Sequence, residues 1–161
     1  MNYNKLGKTN LKISELGFGC EQLGGIDWGY VDEKKVIQAT RDAVNRGINL
    51  FDTADVYGLG KSEEILSRAL EEKRKDMVIL TKFGVNWVSH KGKKRAKTFY
   101  DSSPKRVREA LHNSLKRLKI NSIPIYMIHW PDPKVPFEST MEELLKAKNS
   151  GKIQSIGLSN F

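Results

Sequence analysis

The sequence predicts an α/β chain built on a parallel sheet, and three observations predict it. Short apolar runs alternate with stretches of helical periodicity from Leu16 to Ser159, the pattern of strands joined by helical crossovers. The runs are apolar along most of their length, as strands are when both faces are covered. Several of them also end, on one face, in a polar or ionisable residue. Alternate residues of a strand share a face, so Ile48, Leu50 and Asp52 align, as do Val78, Leu80 and Lys82, then Ile125, Met127 and His129, then Ile156, Leu158 and Asn160. A barrel with an aliphatic interior and a chemical rim reads this way. So does an open parallel sheet with ligands at the carboxyl ends of its strands.

Taken in order, Tyr3 to Ser14 reads as a β-hairpin around Gly7-Lys8-Thr9-Asn10. Leu16 to Gly19 is a short glycine-rich strand, and Cys20 to Tyr30 a loop. Asp32 caps a helix whose apolar face runs through Val36, Ala43 and Val44, with Gly47 at its end. Ile48 to Asp52 is the second core strand, Ser62 to Leu70 a helix, and Val78 to Lys82 the third strand. Gly84 to Ser102 lacks periodicity and reads as a long loop. Ser103-Pro104 supplies an N-cap followed by proline at the first helical position, ahead of an apolar face from Val107 to Leu118. Ile123 to Ile128 is the fourth strand. Ser139 and Glu142 have the spacing of a capping box, Gly151 closes that helix, and Ser155 to Ser159 is the fifth strand.

Length and composition bound the function. The 161 residues suffice for one domain over 1–161, with 39% hydrophobic and 29% charged residues, ordinary for a soluble globular protein. No apolar run approaches a membrane span, and no basic-then-apolar leader opens the chain, so a cytoplasmic protein without membrane partners is expected. The single cysteine, Cys20, excludes an internal disulfide. Net charge is +9, with Lys91, Lys93, Lys94, Arg95 and Lys97 crowded together. No base-reading helix, aromatic ladder or zinc-finger spacing accompanies them, so they read as a solvated loop and not a nucleic-acid site. His90 and His112 lack the paired ligands of a metal site. No G-x-G-x-x-G opens a helix after the first strand, which argues against a Rossmann cofactor site.

Asp52, Tyr57, Lys82 and His129 are the candidate catalytic residues. Singly, each has a bland reading: a capping aspartate, a packed tyrosine, a solvated lysine end, a structural histidine. Together at matching strand ends they favour one site. A free phenol, with a pKa of about 10, is a weak acid at neutral pH, and an ammonium beside it is expected to lower that value. Asp52 would hold Lys82, His129 would orient a carbonyl oxygen, and Tyr57 would give it a proton. No residue supplies a hydride, so a nicotinamide or flavin is required. Ser159 and Asn160 suit a nicotinamide carboxamide.

Four stretches carry a resemblance: Phe51-Asp52-Thr53-Ala54-Asp55-Val56-Tyr57-Gly58, Thr81-Lys82-Phe83-Gly84, Ile128-His129-Trp130-Pro131-Asp132, and Gly151 to Phe161. In these the chain resembles the aldo-keto reductases. The resemblance implies a (β/α)8 barrel of TIM type, of which the first five β/α strands are present behind an N-terminal hairpin. It implies NADP(H), a small carbonyl substrate, and reduction of aldehydes and ketones. It also implies Asp52, Tyr57, Lys82 and His129 as the catalytic set, and Asp52, Ser159, Asn160 and Cys20 at the cofactor. Trp28, Tyr57, His129 and Trp130 would lie at the substrate, although Cys20-Glu21 departs from the Thr-aromatic pair common in the family. A whole barrel takes roughly 250 residues, so a truncated chain is expected. It would self-associate through its open edges and have impaired turnover. The alternative is a non-catalytic, binding or regulatory member.

Overall fold

The computed structural model describes residues 1–25, 29–88 and 96–161. Strands β1 (Tyr3–Lys5) and β2 (Lys12–Ser14) form the antiparallel hairpin, in register Tyr3 to Ser14. Asn49 fastens it below the main sheet, accepting from Ser14 N at 2.7 Å and donating to Lys12 O at 2.9 Å. The hairpin therefore sits at the N-terminal end of the sheet and leaves the opposite rim free.

The main sheet is parallel and five-stranded, in the order β3 (Gly17–Gly19), β4 (Leu50–Asp52), β5 (Val78–Phe83), β8 (Ile123–Ile128) and β9 (Ile153–Leu158). Helices α1 (Glu33–Asn45), α2 (Lys61–Leu70), α3 (Pro104–Leu118) and α4 (Phe137–Asn149) make the crossovers. Two predicted caps form. Asp32 accepts from Lys34 N and Lys35 N at 3.0 and 3.3 Å, and Ser103 accepts from Arg106 N at 3.3 Å behind Pro104.

The core lies between the sheet and the helices. Phe51, Ile79, Phe83, Tyr126 and Ile128 are buried on one sheet face against Ile65, Leu66, Val107, Ala110 and Leu144. The opposite face is the one that ends in polar residues, and it is less covered. Leu50, Leu80 and Met127 are half-buried there. In β9 the register departs from the expected parity: Ile156 pairs with Tyr126 and Leu158 with Ile128, so both lie on the helix side, and Gly157 faces inward beside Met127. The sheet thus buries its helix side except at the β9 edge, where Leu158 is 44% exposed, and leaves its inner side partly open, as a partial barrel does.

Four expectations are corrected. The stretch from Gly84 to Ser102 is not all loop: β6 (Val85–Val88) pairs antiparallel with β7 (Lys97–Tyr100). β7 is exposed throughout, so it carries no buried face to mark it in sequence. Helix α4 starts at Phe137, because Pro136 supplies an extended residue directly before it (φ −55°, ψ 128°). Ser139 is then inside the helix, donating to Pro136 O at 2.8 Å, and forms no capping box. The second core strand begins at Leu50, since Ile48 N bonds back to Ala43 O at 3.0 Å. The fifth begins at Ile153, which pairs with Ile123.

Candidate active site

The site is built at the carboxyl end of β4, β5 and β8. Beyond Asp52 the chain stays paired to β5: Thr53 N donates to Leu80 O at 2.8 Å and Asp55 N to Lys82 O at 3.0 Å. That track carries the backbone to Tyr57, the first residue of a 3-10 turn (Tyr57–Gly60). Across β5 the ladder also runs past its end, with His129 N donating to Phe83 O at 2.8 Å.

Lys82 is the centre of the cluster. Its side chain is buried, and its ammonium donates to Asp52 Oδ1, to Thr53 O at 3.0 Å and to the Tyr57 phenolic oxygen at 3.3 Å. An ammonium has three N–H groups, and these contacts use all of them. The phenol oxygen is an acceptor here, so its own O–H points elsewhere and is available to a ligand oxygen. The His129 ring stands edge-on to Tyr57, centroids 5.7 Å apart. Asn160 Nδ2 donates to His129 O at 2.7 Å and to Ser159 Oγ at 3.0 Å. Thus Asp52, Tyr57, Lys82 and His129 are brought together, with Asn160 and Ser159 bonded beside them.

The electrostatics differ from expectation at Tyr57. Burial pushes the phenol above its ordinary value, and the Lys82 ammonium opposes this without overcoming it. The group is therefore a fully protonated donor at neutral pH. Burial, with help from Lys82, pushes the His129 imidazolium down to about 4, so the ring is neutral and donates without carrying charge.

The His129 shift makes stability depend on pH. Its folded pKa lies below the ordinary 6.5, so the unfolded chain binds the proton first on acidification. The stabilisation is complete above about pH 6.5 and is lost as pH falls toward the folded value. Urea titrations should show a loss of about 2 kcal/mol between about pH 6.5 and 5 that is absent in His129→Gln. Burial raises the Asp55 carboxyl to about 7 against the pull of Arg106, and this acts with opposite sign in the same window. The difference between the two proteins cancels it.

Other expected residues are placed differently. Cys20 is fully buried in the core cluster, bonded through its N–H to Asp52 O at 2.8 Å. Burial pushes its thiol up. It packs behind Asp52 and presents no thiol surface to a cofactor. Trp130 is 40% exposed at the rim, its ring 6.3 Å from that of Tyr100. Trp28 lies outside the described residues, as do His90 and residues 91–95 of the basic cluster. Among the described residues no His, Cys, Asp and Glu cluster could hold a metal, and no helix is long and apolar enough to cross a membrane.

Sequence reasoning missed the supports of the Tyr57 turn. Ser62 Oγ donates to Cys20 O at 2.6 Å and shares a 2.9 Å hydrogen bond with Thr53 Oγ1. Gly24 and Gly58 pass backbone to backbone. The glycines were visible as turn residues, but nothing local pairs them.

A family model described as "Aldo/keto reductase family" matches residues 15–161. The chain belongs to the aldo/keto reductase family. It is 40% identical over 163 residues to the aldo-keto reductase YhdN of Bacillus subtilis (strain 168), covering 100% of this chain and 47% of that protein. Among solved structures it is similar to the glycerol dehydrogenase AKR11B4 from Gluconobacter oxydans, with a TM-score of 0.89 and 40% identity over 99% of this chain and 48% of that one. It is also similar to the holo form of aldo-keto reductase AKR11C1 from Bacillus halodurans, with a TM-score of 0.86 and 33% identity over 100% of this chain and 51% of that one. The chain spans about half the length of these aldo/keto reductase relatives.

Proposed function

We propose that this chain carries the proton-donating half of an NADP(H)-dependent site that reduces aldehydes and ketones to alcohols. The observation that carries the reading is the Lys82 ammonium donating to the Tyr57 oxygen, which leaves the phenolic proton free to leave toward a substrate. Tyr57 donates that proton to the carbonyl oxygen. Neutral His129 hydrogen-bonds the same oxygen and orients it. Asp52 and Thr53 O hold Lys82, whose charge stabilises the phenolate left behind.

The residues beside the site fit a nicotinamide carboxamide. Asn160 spends its amide hydrogens on His129 O and Ser159 Oγ, so its amide oxygen is left as an acceptor, and the Ser159 hydroxyl keeps its proton to donate. Asn160 and Ser159 would hold the carboxamide, with Asp52 nearby. The bound cofactor supplies the hydride that reaches the carbonyl carbon. Trp130 is the substrate-side residue of this proposal, with Tyr57 and His129. A reducing, cytoplasmic setting suits this chemistry and the single thiol.

The test is NADPH oxidation by the purified chain against a panel of aldehydes, followed by cofactor absorbance. Saturable, aldehyde-dependent oxidation is expected, and its absence with every aldehyde would overturn the catalytic reading. The second reading is a nicotinamide-binding or regulatory protein without turnover. That reading predicts cofactor binding with no oxidation. We further propose that the edge strands β3 and β9, with the half-open inner face, pair with strands of another copy. Light scattering should then give a mass above that of one chain at high concentration, and a monomer at every concentration would contradict it.

A further inference from the structure

A buried ion pair on the helix side of the sheet takes no part in the proton-donor chemistry. Asp55 is fully buried and Arg106 is 7% exposed. The Arg106 guanidinium donates to Asp55 Oδ2 at 2.5 Å. For stability alone such a pair is a poor choice, because apolar residues of similar volume often do as well or better. Its location gives another reason for it.

Asp55 stands two residues before Tyr57, on the loop between Asp52 and the phenol. Its N–H donates to Lys82 O at 3.0 Å, so its backbone is tied to the very residue whose ammonium touches the phenol. Its side chain reaches the other way, to Arg106 in the first turn of α3. Arg106 also lies over the Trp87 ring of β6, 5.2 Å from its centroid. One guanidinium therefore joins α3, the β6–β7 hairpin and the Tyr57 loop. The charged and titratable groups acting on Asp55 are Arg106, Glu63 and Arg117, and those around Tyr57 are Lys82, Asp52, Glu21 and His129.

We propose that the Asp55–Arg106 pair positions Tyr57, clamping its loop against β5 and α3 so that the phenol stays within hydrogen-bond reach of Lys82. Both are positioning residues that act through the loop. The proposal rests on the reading of Tyr57 as proton donor, but its test reads the phenol itself and needs no turnover.

The experiment is an ultraviolet tyrosinate titration of the 161-residue chain, with Tyr57 isolated by subtracting the same titration of a Tyr57→Phe partner. It is run in wild type, Asp55→Asn and Leu144→Ala, with urea unfolding alongside. In wild type the half-buried phenol is expected to titrate above the ordinary value. In Asp55→Asn the loosened loop lets more water reach it, and the midpoint falls toward about 10, the value of a solvated tyrosine. Leu144→Ala removes a fully buried side chain from α4, which packs on α3 and β9. It lowers stability and leaves the Tyr57 midpoint in place. Should Asp55→Asn fail to fold, Arg106→Lys, which keeps the charge and loses the planar fork, is read in the same way. An unmoved Tyr57 midpoint in the folded variant, or an equal movement in Leu144→Ala, overturns the proposal and leaves the pair a structural brace.

Discussion

Tyr57→Phe lowers carbonyl reduction by about 100- to 10,000-fold, the range a positioned general acid contributes. It removes one oxygen and keeps the ring, so the edge-on contact with His129, centroids 5.7 Å apart, survives. Lys82 keeps Asp52 and Thr53 O as partners. The loss should therefore fall on kcat, with folding and cofactor binding close to wild type. The pH profile of wild type adds a second reading. Because burial outweighs Lys82 at the phenol and raises it, reduction should lose its donor only above the ordinary tyrosine value of about 10. Steady-state kinetics across pH check both statements. An alkaline limb well below that value would show that Lys82 dominates after all.

Gly58→Ala costs about 2–5 kcal/mol, from overpacking together with a left-handed backbone that side chains disfavour. Gly58 has φ +59°, and a Cβ there would lie 2.5 Å from Gly24 Cα and 2.5 Å from Gly24 O. Those are backbone atoms and cannot swing aside. Gly24→Ala meets the same contact from the other side, with its Cβ 2.5 Å from Gly58 N. Relief requires the Tyr57 turn to lift away from the turn at Glu21–Gly24. Urea unfolding should show the loss in both variants, and any active preparation should lose turnover with it, since Tyr57 precedes Gly58 directly. A change within about 0.5 kcal/mol, the range of ordinary surface substitutions, would mean that the contact is not closely packed.

The parts of this molecule that a sequence reveals are those set by local chemistry. Asp32 and Ser103-Pro104 mark helix starts because a cap needs only its own next three residues. The meeting of Asp52 and Lys82 follows from strand parity, since neighbouring parallel strands carry like faces to the same rim. What stayed hidden depends on distant packing. Asp55 and Arg106 are 51 residues apart, and no spacing rule joins them. The direction of the Tyr57 shift is a balance of burial against one ammonium, and burial is a property of the folded chain. The β6–β7 hairpin escaped because an exposed pair of short strands imposes no hydrophobic period. Ser139 misled in a simpler way: its spacing to Glu142 was right, but Pro136 had already started the helix.

The most direct test of the central claim, that these residues form half of a nicotinamide site, is an NADPH titration followed by tryptophan fluorescence. The chain has three tryptophans as reporters, Trp130 among them at the rim. Saturable quenching is expected at micromolar cofactor, weakened when Asn160→Ala removes the carboxamide acceptor. No quenching up to millimolar NADPH, or an affinity indifferent to Asn160→Ala, would contradict it.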